Sequence, residues 1–203
     1  TVQLEHELSV QLAQLKLEVA EALSTPSRLK VKLNNALRAI QKISQDNFSG
    51  SCAIGLTNES NSAIDLAAHV GEHTEREVRE NLQRAEDNDS LRNALLMAKP
   101  TLIDTQIDTE NDIPLRDLQF AFPIVTIVAK SKKILGLLLI QASSKTLPDE
   151  TTINLFDEIT HMLSTAILQE RTRSLLKKAS FAAEQNSRLK SEFLASMSHE
   201  IRT

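Results

Sequence analysis

Apolar residues recur at helical spacing near the beginning of the chain. The first group forms a seam at Leu4, Leu8, Leu12, Leu15 and Val19. This seam predicts an entry helix over residues 1–24 that packs on another helix or on a second copy in a parallel coiled coil. Thr25-Pro26 interrupts it, and proline is favoured at the first helical position, so a second helix is predicted over residues 27–44. Its apolar face would contain Leu29, Leu33, Leu37, Ile40 and Ile43.

The next pattern is typical of strands. Residues 51–56 and 63–70 are apolar runs separated by a polar turn, which predicts a hairpin, and residues 47–50 are predicted to form the turn before it. A densely charged segment, residues 74–86, has helical periodicity. Asp89 or Ser90 is predicted to cap a shorter helix that ends before Pro100. That helix would carry Leu91, Leu95, Leu96 and Met97.

A short strand is predicted at residues 101–104, followed by an acidic surface loop to residue 112. The strongest strand pair is residues 119–129 with residues 134–142, joined by the basic turn Lys130-Ser131-Lys132-Lys133. These elements predict an α+β domain whose sheet is mostly antiparallel.

From Pro148 almost to Thr203 neither glycine nor proline interrupts the chain, which predicts one very long helix. Its first part should pack on the domain through Phe156, Ile159, Leu163 and Ile167. The second part has a heptad seam suited to a parallel dimer. The seam consists of Leu168, Thr172, Leu175, Ala179, Ala182, Asn186, Leu189 and Phe193. Asn186 either fixes the register of that dimer or faces solvent.

The order of elements resembles the end of a GAF domain. Phe122-Pro123-Ile124-Val125 precedes the basic turn, an apolar strand follows, and Leu147-Pro148-Asp149-Glu150 opens the long helix. The resemblance spans about residues 25–170 and implies a mostly antiparallel sheet with helices on one side. We therefore expect a GAF-like sensor domain at residues 25–146 and a connecting signalling helix at residues 147–188. An unrelated α+β domain is the alternative.

The end of the chain has a second apolar pattern. As a helix, it places Phe193, Met197 and Ile201 at four-residue steps on one face. His199 lies six positions after Phe193, about 240° round the helix, so we expect its imidazole to face water. The alternating three- and four-residue spacing of the seam changes to four-residue steps at this point. Such a change of spacing is a place where the helix can switch between two slightly rotated positions.

Residues 193–203 resemble the phosphoacceptor box of sensor histidine kinases of two-component systems, with His, acid, Arg and Thr in the family's order. The resemblance implies that His199 is autophosphorylated, that Glu200 assists phosphotransfer, and that Thr203 orients water in dephosphorylation of the response regulator. Residues 189–203 would then begin the phosphoacceptor domain. The parent kinase would use ATP and Mg²⁺, with a receiver domain and a second copy of the chain as partners. The alternative for His199 is a surface histidine without a catalytic role.

Composition excludes some functions. The formal net charge of −4 argues against a dedicated nucleic-acid binder. With 4 glycines and no Gly-rich nucleotide loop, the chain alone should have no kinase activity. The single cysteine and the lack of a membrane-spanning apolar run favour the cytoplasm, while Thr1 in place of an initiator Met suggests a piece of a longer parent, with a membrane anchor left open.

No residue specifies what the GAF-like domain senses. Cys52 has no adjacent histidine, unlike the thiol that attaches a bilin in phytochrome-type domains, and is interpreted as a small core residue. His69 falls in a predicted strand and His73 in the next turn, so no metal site is predicted. His161 is interpreted as a surface or interface residue, and residues 154–158 give only part of a cyclic-nucleotide signature. The sequence leaves open whether the GAF-like domain binds an unidentified small ligand or none.

Two other functions also remain open. The chain is either a small-molecule-binding GAF module whose output is conformational, or a structural element whose outer helices only dimerise.

Overall fold

The structure is a computed structural model that describes residues 2–42, 48–58, 63–71, 74–86, 97–104, 118–128, 130–142 and 148–202. The chain divides into two compact units, residues 1–166 and 167–203. The helices are α1 (Val2–Ser24), α2 (Leu29–Gln41), α3 (Glu75–Glu86) and α4 (Glu150–Arg202). The strands are β1 (Phe48–Thr57), β2 (Ile64–Val70), β3 (Thr101–Asp104), β4 (Leu118–Val128) and β5 (Ser131–Ala142).

The five strands form one antiparallel sheet in the order β2-β1-β5-β4-β3. Both predicted hairpins are present, β1 with β2 and β4 with β5. The short strand β3 pairs only with the beginning of β4, from Leu118 to Ala121. The predicted α+β fold with an antiparallel sheet and flanking helices is therefore confirmed.

One face of the sheet packs against α2 and the first part of α4. The Sγ atom of Cys52 in β1 lies 3.4 Å from the carbonyl oxygen of Leu37 in α2. On the same side, the rings of Phe122 in β4 and Phe156 in α4 have centroids 4.7 Å apart. Helical spacing of apolar residues predicted this layer, because each of these helices has one buried stripe.

The other face of the sheet is covered by α3. Ala53, the strand neighbour of Cys52, belongs to a buried cluster with Val78 and Leu82 of α3 and Leu137 of β5. Successive strand residues point to opposite faces, so α3 and α2 lie on opposite sides of the sheet. The expectation that helices occupy one side was wrong.

Helix α3 begins with a capping box. The Thr74 hydroxyl accepts from the Glu77 backbone N–H at 3.3 Å, and the Glu77 carboxylate accepts from the Thr74 N–H at 2.7 Å. Each side chain thus satisfies a backbone donor that lacks a partner inside the helix, which accounts for the helix starting at Glu75.

Part of the entry-helix seam is used within the single chain. Leu15, Val19 and Leu23 of α1 are buried, whereas Val10 and Leu17 are exposed. Leu15 and Val19 belong to the predicted seam, and their burial in one chain makes them unavailable to a second copy. The entry helix is confirmed, and at these two positions its seam packs within the single chain, which is the first of the two predicted alternatives.

The first two predicted boundaries differ from those in the structure. Pro26 lies in a turn where the Ser27 N–H donates to the Thr25 carbonyl at 2.8 Å, so α2 starts only at Leu29. Phe48 to Gly50 belong to β1 and not to a turn.

The connection between β4 and β5 is shorter than predicted. Ser131 already pairs with Val128, so Lys132 and Lys133 belong to β5. Lys130 has φ 69°, a left-handed conformation that suits tight hairpin connections.

Other predictions lie outside the described residues. These are the short helix with Leu91, Leu95 and Leu96, the acidic loop after Asp104, and the middle of the first hairpin turn. Within the described residues, no helix combines the length and the apolar character needed to cross a membrane.

Gly136 marks a close approach between β5 and β1. A Cβ atom there would overlap the Gly55 carbonyl oxygen and lie 3.0 Å from the Leu56 Cα, and neither backbone atom can rotate away. We expect Gly136→Ala to lower the free energy of unfolding by about 1–3 kcal/mol, the usual cost of overpacking. Urea denaturation measures this, with Lys133→Ala on the exposed part of the same strand as control. Equal unfolding midpoints for both variants would contradict the prediction.

Candidate functional site

Helix α4 extends without interruption from Glu150 to Arg202. It begins where the Asp149 carboxylate accepts the Thr152 backbone N–H at 3.1 Å, an N-terminal cap. Phe156, Ile159 and Leu163 are buried, as predicted. The helix contains neither Gly nor Pro, the residues that most often bend or end helices.

The second part of α4 exposes its apolar residues. From position 172 to position 202 every described residue is exposed. Within the predicted heptad seam, Leu175, Leu189 and Phe193 are 62%, 61% and 64% exposed. A stripe of this kind on one helix is unusual for a monomer and is typical of a helix that packs against another.

The predicted phosphoacceptor segment lies in the last turns of α4. His199 and Glu200 are exposed, like every other described residue of this part of α4. Met197 and Ile201, which were expected to form a packed face, are 40% and 80% exposed in the single chain. The imidazole is thus exposed to solvent, and the apolar face of the same helix segment is exposed as well. Thr203 lies outside the described residues.

The remaining histidines do not form a metal site in the described chain. His69 lies in β2, where its backbone N–H donates to the Asn34 Oδ1 at 3.3 Å. His73 lies outside the described residues, and His161 is exposed on α4. Among the described side chains, no group of three or more His, Cys, Asp and Glu residues could hold a metal ion.

Cys52 is the small core residue that its sequence context predicted. Its side chain is 4% exposed, and burial raises the pKa of the thiol to about 12. Because the thiolate is the nucleophilic form, Cys52 is inert near neutral pH.

We expect the Cys52 thiol to resist alkylation by iodoacetamide at pH 8 in the folded protein. Reaction should become rapid in about 6 M urea, where unfolding exposes the thiol and restores its ordinary acidity. Mass spectrometry of timed samples measures both rates. Equal rates with and without urea would contradict the buried position.

The solved structures that the chain resembles include several GAF domains. The GAF domain of an Acinetobacter phosphoenolpyruvate-protein phosphotransferase has a TM-score of 0.56 at 17% identity, over 81% of this chain and 97% of that one. The corresponding domain from Coxiella burnetii has a TM-score of 0.56 at 16% identity, over 81% and 95%. The chain adopts the GAF fold. A segment of a methyl-accepting chemotaxis protein also resembles it, with a TM-score of 0.52 at 13% identity, over 74% and 95%.

No protein-family model matches the chain, and no curated protein matches it significantly. The likeness to GAF domains therefore concerns the fold, and the chemistry must be argued from this chain's own residues.

Proposed function

We propose that the chain is the sensory and phosphoacceptor segment of a sensor histidine kinase. The observation that carries the proposal is His199, exposed on an unbroken helix and followed by Glu200 and Arg202 in the order of the phosphoacceptor box. The same helix begins in a domain with the GAF fold, and a chemotaxis-protein segment shares that fold, which supports a sensory role.

The chemistry proposed for His199 is nucleophilic attack on the γ-phosphorus of ATP. One ring nitrogen forms the new P–N bond while ADP leaves, and the other is held by a hydrogen bond, for which Glu200 is the adjacent candidate. A separate domain of the parent kinase supplies ATP and Mg²⁺. A receiver domain then takes the phosphoryl group from His199.

Signal transfer is proposed to follow α4. A change in the GAF domain shifts or rotates the helix, and the break in the seam's spacing near Phe193 converts this into a new position of His199. Cysteine crosslinking along residues 170–190 tests this step. One crosslinking pattern under all activating and inactivating conditions would exclude it.

The proposed activity is tested by adding a histidine-kinase ATP-binding domain in trans. Incubation with ATP should place acid-labile phosphate on His199, identified by peptide mapping, whereas the chain alone should gain none. Phosphate on another residue would count against the proposal. So would the absence of phosphate on this chain, provided that the same ATP-binding domain phosphorylates its own substrate. Ligand-induced thermal stabilisation without phosphorylation would favour the small-molecule-binding GAF module instead.

Two neighbouring positions should separate the steps of phosphotransfer. Glu200→Gln should slow autophosphorylation without unfolding the helix, because it removes the charge that orients the imidazole. Thr203→Ala should spare autophosphorylation and slow loss of phosphate from the receiver domain. Rates measured in the full-length parent test both expectations, and a wild-type rate for Glu200→Gln would remove that residue from the mechanism.

A further inference from the structure

A cavity of about 450 Å³ lies between the end of the β4–β5 hairpin and the first part of α4. Val125 and Ile127 of β4 and Lys132 of β5 form one wall, while Asp157 and His161 of α4 form another. The volume is within the range of small-molecule sites.

The backbone around the cavity is irregular. The pairing of β4 with β5 shifts register between Ile124 and Val125, and such bulges often redirect side chains beside functional sites. Strand β3 pairs with β4 no further than Ala121, so the part of β4 at the cavity has no described strand on that side. Ala98, which also lines the cavity, has φ 48°, a strained conformation for a residue with a Cβ.

One exposed apolar side chain, Ile127, lies in the wall of the cavity. Outside α1, α2 and α4, the described part of the domain has two large apolar side chains that are exposed, Met97 and Ile127. Met97 is 67% exposed and precedes Ala98, and Ile127 is 73% exposed in the wall of the cavity. An exposed apolar side chain such as Ile127 in the wall of a cavity is suited to contact with a ligand.

Two opposite charges, Lys132 and Asp157, also line the cavity, and both residues are exposed to solvent. Within the described residues, neither the Lys132 ammonium nor the Asp157 carboxylate has a hydrogen bond or ion pair. Partial burial raises the pKa of Asp157, because it disfavours the charged form of the carboxyl group. The Thr160 hydroxyl in the same wall donates to the Asp157 backbone carbonyl at 2.9 Å and does not reach its carboxylate.

We propose that this cavity binds a small zwitterion with an apolar side chain, the chemical class of the apolar α-amino acids. The ligand's carboxylate pairs with Lys132, its ammonium group pairs with Asp157, and its side chain packs on Val125 and Ile127. A simple anion would use only Lys132 and a simple cation would use only Asp157, whereas a zwitterion would pair with both charges. The flexible four-carbon stem of Lys132 allows its ammonium group to reach the ligand.

The proposal adds to the kinase proposal without depending on it. A ligand in this cavity contacts α4 directly at Asp157 and His161, on the helix that also carries His199. Binding is measured on the protein itself, so its absence would leave phosphotransfer to His199 unaffected, and failure of phosphotransfer would leave the binding site unaffected.

Isothermal titration calorimetry of the whole chain with L-phenylalanine tests the proposal. Two analogues each lack one charge: 3-phenylpropanoate lacks the ammonium group and 2-phenylethylamine lacks the carboxylate. L-Phenylalanine should bind at least about tenfold more tightly than either, which is the usual effect of one charged hydrogen bond. No heat of binding up to about 10 mM L-phenylalanine, or equal binding of an analogue, would overturn the proposal.

Matched variants locate the site. Lys132→Gln and Asp157→Asn should each weaken L-phenylalanine binding by about tenfold or more. Lys133→Gln and Glu158→Gln change the same charges one residue away, outside the cavity lining, and should bind like the unmodified chain. Circular dichroism checks that all four are folded. Binding that is unchanged in both cavity variants would overturn the assignment.

Discussion

Replacing His199 with glutamine in the full-length parent is expected to abolish autophosphorylation. The glutamine amide has a similar size and polarity but no nucleophilic ring nitrogen, so it cannot form the P–N bond. Because His199 is exposed at the end of α4, the substitution should not alter the unfolding midpoint of the domain with the GAF fold. Acid-labile phosphate after incubation with labelled ATP is the measurement.

His161 provides the matched control for this prediction. It is a second exposed histidine on the same helix, and it is not part of the phosphoacceptor box. His161→Gln should therefore retain phosphate on His199. If phosphorylation persisted in His199→Gln and disappeared in His161→Gln, His161 would be the phosphoacceptor. That result would refute the proposed function of His199.

Replacing Leu175 and Leu189 together with glutamate is expected to convert a parallel dimer into a monomer. Both leucines lie in the heptad seam and are more than half exposed in the single chain. Burial of such a side chain contributes about 1.5–3 kcal/mol, and the double substitution removes four of them from a dimer. It also places like charges within the seam. Light scattering at high micromolar concentration measures the mass.

Ser180→Glu with Ser187→Glu is the control for the seam. These serines occupy the opposite side of the same helix and are exposed. They add the same number of charges without touching the seam, so this variant should remain dimeric. A monomer for the unmodified chain at high micromolar concentration would exclude the parallel dimer itself.

Local periodicity predicted the elements of the fold well. Helical apolar spacing predicted α1 and α2, the absence of Gly and Pro predicted the length of α4, and apolar runs separated by polar turns predicted both hairpins. Periodicity did not predict on which face of the sheet α3 lies. Val78 and Leu82 show that α3 has one apolar face, but that face could pack equally well on either side of the sheet. The lysine-rich turn was assigned too long, since Lys132 and Lys133 have low strand propensity but accept exposed strand positions.

The two candidate sites differ in how far a sequence can predict them. The angular position of His199, about 240° round the helix from Phe193, follows from helix geometry alone, because it is set by residue number. The cavity with Lys132 and Asp157 joins residues far apart in the chain, and it depends on a register shift in β4–β5 and on where β3 stops pairing. Neither feature has a local sequence signal. The strand that carries Val125 and Ile127 and the helix that carries Asp157 were predictable, but their meeting at one cavity was not.

The unbroken course of α4 also restricts how this protein can change in length. Inserting one residue in α4 before His199 would turn the imidazole by about 100° round the helix relative to the residues that precede the insertion, because no Gly or Pro in the helix absorbs the rotation. Inserting seven residues would nearly restore the original direction and keep the seam in phase. Functional relatives with this arrangement should therefore differ in the length of the connecting helix by multiples of seven residues. In artificial fusions to other output domains, the response to the signal should be retained only when the length of this helix changes by a multiple of seven residues.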